Sequence, residues 1–120
     1  MPRYVDGYVL PIPTRNIPAY RRLAKVACKV WLEHGALEYR ECVGEDLAVP
    51  CGLPFPRALK LKRGETVVFA WVVYASRKQR DRVNAKVMQD RRLVDATKGR
   101  PMPFDIKRMI YGGFEVLVEA

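Results

Sequence analysis

The segment Thr66-Val-Val-Phe-Ala-Trp-Val-Val-Tyr74 constrains the fold more than any other part of this chain. It is β-branched and aromatic throughout, which reads as a strand. Successive side chains of a strand point to opposite faces. Val67, Phe69, Trp71 and Val73 therefore share one face, and Val68, Ala70, Val72 and Tyr74 share the other. Both faces are apolar, so both must be covered. Helices of the same chain can cover one. A second copy of the same sheet is the economical cover for the other.

Pro and Gly punctuate the rest of the chain. Tyr4 to Leu10 reads as a first strand, closed by Pro11-Ile12-Pro13. Thr14 is a candidate cap and Pro18 suits a first helical turn. Tyr20, Leu23, Ala24, Ala27, Val30 and Trp31 follow at steps of three and four, the stripe of an amphipathic helix ending at Gly35. Ala36 to Val43 reads as a second strand. The stretch from Gly44 through Pro50, Gly52, Pro54 and Pro56 reads as too broken for regular structure. After the third strand, Ser76 with Gln79 three residues on forms a capping box. The helix it opens carries Val83 and Val87 and runs to about Asp90, with a further turn to Ala96. Lys107 to Val118 reads as a last strand, with Gly112-Gly113 permitting a bulge.

The order is βαββαβ, so the expected fold class is α+β: a ferredoxin-like four-stranded antiparallel sheet with two helices on one face. The 120 residues make one domain, 1–120. In the outer strands, Tyr4, Asp6, Tyr8 and Leu10 share a face, as do Met109, Tyr111, Glu115 and Leu117. The purely apolar faces, with Val5, Val9, Ile110 and Phe114, are expected to meet the helices. The mixed faces are expected to meet the partner.

Met102-Pro-Phe-Asp105 and Lys107-Arg-Met-Ile-Tyr-Gly-Gly-Phe-Glu115 resemble the C-terminal signature of the YbaA-like bacterial proteins. Tyr4-Val-Asp-Gly-Tyr8, Gly35-Ala-Leu37, Glu41-Cys42 and Val67-Val-Phe-Ala-Trp71 resemble that family's first three strands. The resemblance covers nearly the whole chain and departs most from Val49 to Arg57. It implies a domain of unknown function in the dimeric α+β barrel superfamily, with two sheets packed face to face. It brings no activity and no catalytic residues. Superfamily relatives include cofactor-free monooxygenases and isomerase-like proteins, which is analogy at the level of fold.

Composition narrows the chemistry. There is one His (His34) and one Ser (Ser76), and the three cysteines, Cys28, Cys42 and Cys51, form no C-x-x-C pair. No metal and no cofactor is expected, and no phosphate-binding loop is readable. No leader-like or bilayer-length apolar run occurs, so no membrane partner is expected and a reducing cytoplasmic setting is the reading. The net charge of +9 gathers on the second helix at Arg77, Lys78, Arg80, Arg82, Lys86, Arg91 and Arg92. Asp81, Asp90 and Asp95 interrupt it and no aromatic stacking set accompanies it, so it reads as a solvated face rather than a nucleic-acid surface.

The candidate site lies where the first and last strands meet. Asp6 and Glu115 are the candidate acid–base pair, with Tyr8 and Tyr111 beside them to orient a small ligand. The structural alternative is that Arg108 or Arg40 pairs with these carboxylates at a dimer interface. Asp105 and Arg108, in the loop before the last strand, are further ligand-binding candidates, and Asp105 also suits a turn cap. The leading function is a homodimer that binds a small organic molecule. A cofactor-free oxygenase or isomerase, and a nucleic-acid or interaction module built on the basic helix, are the alternatives.

Overall fold

The computed structural model describes residues 2–120. Four strands, β1 (Tyr4–Pro13), β2 (Glu38–Val43), β3 (Glu65–Tyr74) and β4 (Ile110–Glu115), form one antiparallel sheet in the order β2-β3-β1-β4. This is the ferredoxin-like arrangement that the βαββαβ reading expects. β3 holds the centre with β1, as its two apolar faces require. β4 pairs only with Tyr4 to Val9, so β1 has a free edge beyond it. Pro11 and Pro13, which lack an N–H, are tolerated there.

Helix α1 (Ile17–Glu33) crosses from β1 to β2. Pro18 lies in its first turn, as expected, but Thr14 begins a short 3-10 turn and Asn16 occupies the cap position. The Asn16 amide donates to the Pro103 carbonyl at 2.8 Å instead of capping the helix. At the other end Gly35 takes φ +118°, a conformation open to Gly alone in practice. Helix α3 (Arg77–Met88) opens on the expected cap: Ser76 Oγ accepts from Gln79 N at 3.1 Å. The Gln79 side chain accepts from Ala75 N and donates to Gly35 O at 2.9 Å, tying the start of α3 to the end of α1.

Several elements differ from the sequence reading: β1 runs on through Pro11-Ile12-Pro13, β2 starts at Glu38 rather than Ala36, and β4 stops at Glu115 rather than Val118. The Pro-rich stretch holds one helical turn, α2 (Phe55–Ala58). The second helix is two, because Asp90 breaks it and caps α4 (Arg91–Thr97) through Arg92 N at 2.9 Å. The last strand begins later than Lys107, since Asp105 caps a 3-10 turn over Ile106–Arg108 through Lys107 N at 3.0 Å.

The strand register decides the faces. Asp6 lies opposite Val72 and Gly113, and Tyr8 lies opposite Ala70 and Tyr111. Residues directly opposite share a face. This face carries the core, with Val72 and Tyr74 packed against Val30, Val83 and Val87, and Leu10 and Ile12 packed with Val68 and Ala70. The mixed faces therefore meet the helices and the purely apolar faces do not, the reverse of the expectation. The reason is that the helices bring polar partners for the polar groups of the mixed face. The face left bare is apolar over β1 and the middle of β3 and over Ile110 and Phe114 of β4, and β2 adds Glu38 and Arg40, which satisfy each other at 3.1 Å. On it Phe69, Ile110 and Phe114 are 45%, 57% and 61% exposed. Trp71 is half-buried there, edge-on to Phe69 at 5.6 Å. At one end Phe55 of α2 leans on Phe69.

Candidate functional site

Between α1, α4, the loop before β4 and the covered sheet face lies a cavity of about 220 Å³. The stripe of α1 forms one wall: Tyr20, Leu23, Ala24, Ala27 and Trp31. Tyr8, Ala70, Val72 and Tyr39 form the sheet wall, and Met102, Phe104 and Met109 close the end. Glu41 is the only carboxylate or cation in the lining. The Tyr20 hydroxyl donates to Glu41 Oε1 at 2.5 Å, and the Tyr39 hydroxyl donates to Oε2 at 2.6 Å. Burial, and then the neighbouring Glu41 charge, push both phenols far above their usual pKa. They stay protonated and so donate to the carboxylate.

The candidate residues fall in four places. Tyr8 lines the cavity and stacks on Tyr111 across the strand pair, with centroids 5.0 Å apart and rings 13° from parallel. Tyr111 is itself half exposed at the sheet edge. Asp6 is fully buried on the same face, beneath α3. Its Oδ1 is 3.6 Å from Arg80 Nε, and its Oδ2 accepts from Asn84 Nδ2 at 3.4 Å. Asn84 Oδ1 in turn accepts from Trp31 Nε1 and the Tyr74 hydroxyl, each at 3.1 Å. Glu115 lies opposite Tyr4 and is exposed, so it does not join Asp6. The carboxylate pair expected at this strand junction does not form.

Neither Arg108 nor Arg40 reaches Asp6. Arg108 grips Glu65 with two nitrogens, at 2.7 and 2.9 Å, and Arg40 pairs with Glu38 at 3.1 Å. Asp105 is the turn cap already described. Hydrogen bonds from Arg108 hold the Glu65 carboxyl down at about 2. A carboxyl whose folded pKa is depressed stabilises the fold above its unfolded pKa and loses that contribution as pH falls through the folded value. Stability should therefore decline from about pH 4.5 towards about 2. Glu65→Gln should remove that part of the decline in acid-titrated urea unfolding. An unchanged acid limb in the variant would show that the pair contributes nothing.

Sequence reasoning missed Glu41, Tyr39, Arg80 and Asn84. Glu41 had a signal: an acid in a short strand at the period that faces a helix. Arg80 and Asn84 had none, since each sits in the polar surface pattern of α3 and turns inward. Two of the basic row are thereby spoken for. Arg80 faces Asp6 and Tyr4, and Arg92 is paired to Asp90 and Glu33. Among the described residues no group of His, Cys, Asp or Glu is arranged to hold a metal ion, and no helix is long and apolar enough to cross a membrane.

The register and the pocket define a class: a ferredoxin-like α+β domain with one apolar face bare and a partly open apolar pocket between its helices and the other face. Among solved structures, a NIPSNAP-family protein of unknown function from Agrobacterium tumefaciens superposes with a TM-score of 0.62 at 12% identity, over 95% of this chain and 87% of its own. A dimeric ferredoxin-like protein from an uncultured marine organism gives 0.61 at 12% identity, over the whole of both chains. The chain belongs to the family described as protein of unknown function, DUF1428, whose model matches residues 3–106. It is 42% identical over 117 residues to the uncharacterized protein YbaA of Escherichia coli K12 and to that of Shigella flexneri, covering 98% of each chain.

Proposed function

We propose that this protein is a homodimeric, single-domain binding protein of the cytoplasm that holds a small organic molecule in the cavity between α1 and the sheet. The observation that carries the reading is the cavity itself. It is walled by aliphatic and aromatic side chains and holds a single carboxylate, the pattern of a small-molecule site. A dry cavity of about 150 Å³ accepts benzene. One of about 220 Å³ has room for a single ring with a short side chain. Nothing favours proton transfer at Asp6, which is buried under α3 against Arg80 and does not line the cavity.

Two observations support the dimer. The bare sheet face is apolar and continuous from Val9 through Phe69 to Trp71. The molecule is a slab of 41 × 38 × 21 Å, whose broad dimensions leave room for the roughly 800 Å² per partner of a stable interface. The dimeric marine relative has the same fold. Three unpaired thiols suit a reducing compartment.

Binding is tested by NMR titration of the full chain with ethylbenzene. Saturable shifts should appear at the methyls of Leu23 and Val72. Ala27→Phe, which places a ring in the cavity, should abolish them while circular dichroism stays unchanged. No saturable binding to the wild type, or equal binding to the variant, would refute the reading.

A further inference from the structure

Glu41 lies at a boundary. With Tyr20, Ala24 and Tyr39 it lines both the inner cavity and a second, outer groove of about 250 Å³ beside α1 and β2. Arg21 and Lys25 line that outer groove, and neither forms an ion pair with Glu41 among the described residues. On the cavity side there is no positive group at all. Each carboxylate oxygen accepts one tyrosine hydroxyl and keeps lone-pair capacity for a second donor. Four aromatic side chains line the same cavity: Tyr20 and Tyr39, which touch this carboxylate, and Tyr8 and Trp31, with the Trp31 and Tyr39 ring centroids 6.0 Å apart.

We propose that the cavity selects an organic cation: an amine on an apolar or aromatic body, with its ammonium between Glu41 and the aromatic rings. This names the ligand class of the site proposed above and rests on that reading. Three physical terms favour it. On its cavity side the half-buried Glu41 carboxylate has no positive side chain among the described residues, so an incoming cation there meets an unanswered charge. Tyr and Trp rings attract a cation within about 6 Å of their centroids. A hydrogen bond between two ionised groups is about twice as strong as a neutral one. The tyrosines also fix the carboxylate in place, so no side-chain freedom is lost when the ligand binds. An anionic ligand would meet Glu41 with like charge, and a neutral alcohol would gain a hydrogen bond to the carboxylate without the Coulomb attraction to Glu41 or the attraction to the aromatic rings.

The test compares four probes of one skeleton on the full-length protein by titration calorimetry: phenethylamine, phenethyl alcohol, hydrocinnamate and ethylbenzene. Phenethylamine should bind about tenfold or more tightly than the alcohol, the margin expected of a cation over a neutral donor at such a site. Hydrocinnamate should bind least. Glu41→Gln keeps an acceptor for a tyrosine and removes the charge, so it should bring the amine down to the level of the alcohol. If that variant fails to fold, the order of the four probes on the wild type decides alone. An alcohol that matches the amine, or a carboxylate that binds best, overturns the cation inference and leaves the cavity reading standing. Failure of all four, ethylbenzene included, overturns both.

Discussion

Replacing Arg80 by Met should lower the unfolding free energy by about 3–5 kcal/mol, the range for removing one partner of a buried charge pair. Asp6 is fully buried and its Oδ1 is hydrogen-bonded to nothing; Arg80 Nε, 3.6 Å away, is likewise buried and without a hydrogen bond. The two charges therefore face each other in contact rather than in an aligned bond. Arg80 is the main compensation of Asp6, while Arg80 also has the exposed Asp81 carboxylate at 3.4 Å. Arg80 also donates to the Tyr4 hydroxyl at 3.0 Å and lies over the Tyr4 ring at 4.8 Å. Met preserves the stem's packing and removes the charge, so the loss reads the electrostatics and not a cavity.

The pH dependence gives the prediction a second handle. Burial raises the Asp6 pKa, against the lowering effect of Arg80 and Asn84. For a carboxyl raised in the folded state, the native protein binds more protons than the unfolded chain in the window between the two values. Stability therefore falls as pH rises from the unfolded value of 3.8 through the raised one. This is opposite in sign to Glu65. Without Arg80 the Asp6 pKa rises further and the window widens. The variant should regain stability on acidification beyond what the wild type gains, measured by urea unfolding from pH 8 to pH 4. Asp6→Asn should restore much of what Arg80→Met loses when the two are combined. A loss under about 1 kcal/mol, the scale of ordinary surface changes, or a pH-independent loss, would show the pair to be energetically idle.

The fold was legible because its strongest signal is non-local in effect. Nine successive β-formers with two apolar faces demand a central strand. The α1 stripe named from its spacing, Tyr20 to Trp31, is the wall of the cavity. The site was legible only in part, and the reason is one assumption. The sequence reading gave the helices the cleaner apolar faces of β1 and β4. That rule holds where a core has no polar groups of its own. Here Asn84 satisfies Trp31 and Tyr74, Arg80 answers Asp6, and Glu41 takes two tyrosine hydroxyls. These partners come from α1, α3 and β2, far away in sequence from β1. No alternation pattern in a single strand shows them. The faces were thus inverted. Asp6 and Tyr8 went to the inside, Tyr8 stacked on Tyr111 and Asp6 facing Arg80 and Asn84, while Glu115 was left at the exposed edge.

That inversion sharpens what the bare face requires. Phe69→Lys should convert a two-chain particle into a one-chain particle in sedimentation at micromolar concentration, with the monomer fold retained. Phe69 stands mid-sheet, opposite Val9 on β1 and Cys42 on β2, and is 45% exposed in the single chain. Its ring neighbours there are Trp71, mid-sheet with centroids 5.6 Å apart, and Phe55 of α2, with centroids 6.4 Å apart. A lysine can lay its stem along these rings and keep its ammonium in water, so the isolated chain tolerates it. In a face-to-face dimer the same ammonium is enclosed in an apolar layer, and two-fold symmetry brings a second one from the partner. An unpaired buried charge costs several kcal/mol, and about 4 kcal/mol is already close to a thousandfold in dissociation constant. Leu117 and Val118 are 94% and 86% exposed just past β4, at the edge of the sheet. Truncation after Val116 should weaken the dimer less than Phe69→Lys does, because it removes rim and leaves the centre. A wild type that sediments as one chain, or a Phe69→Lys variant that still sediments as two, would place the cover of this face elsewhere.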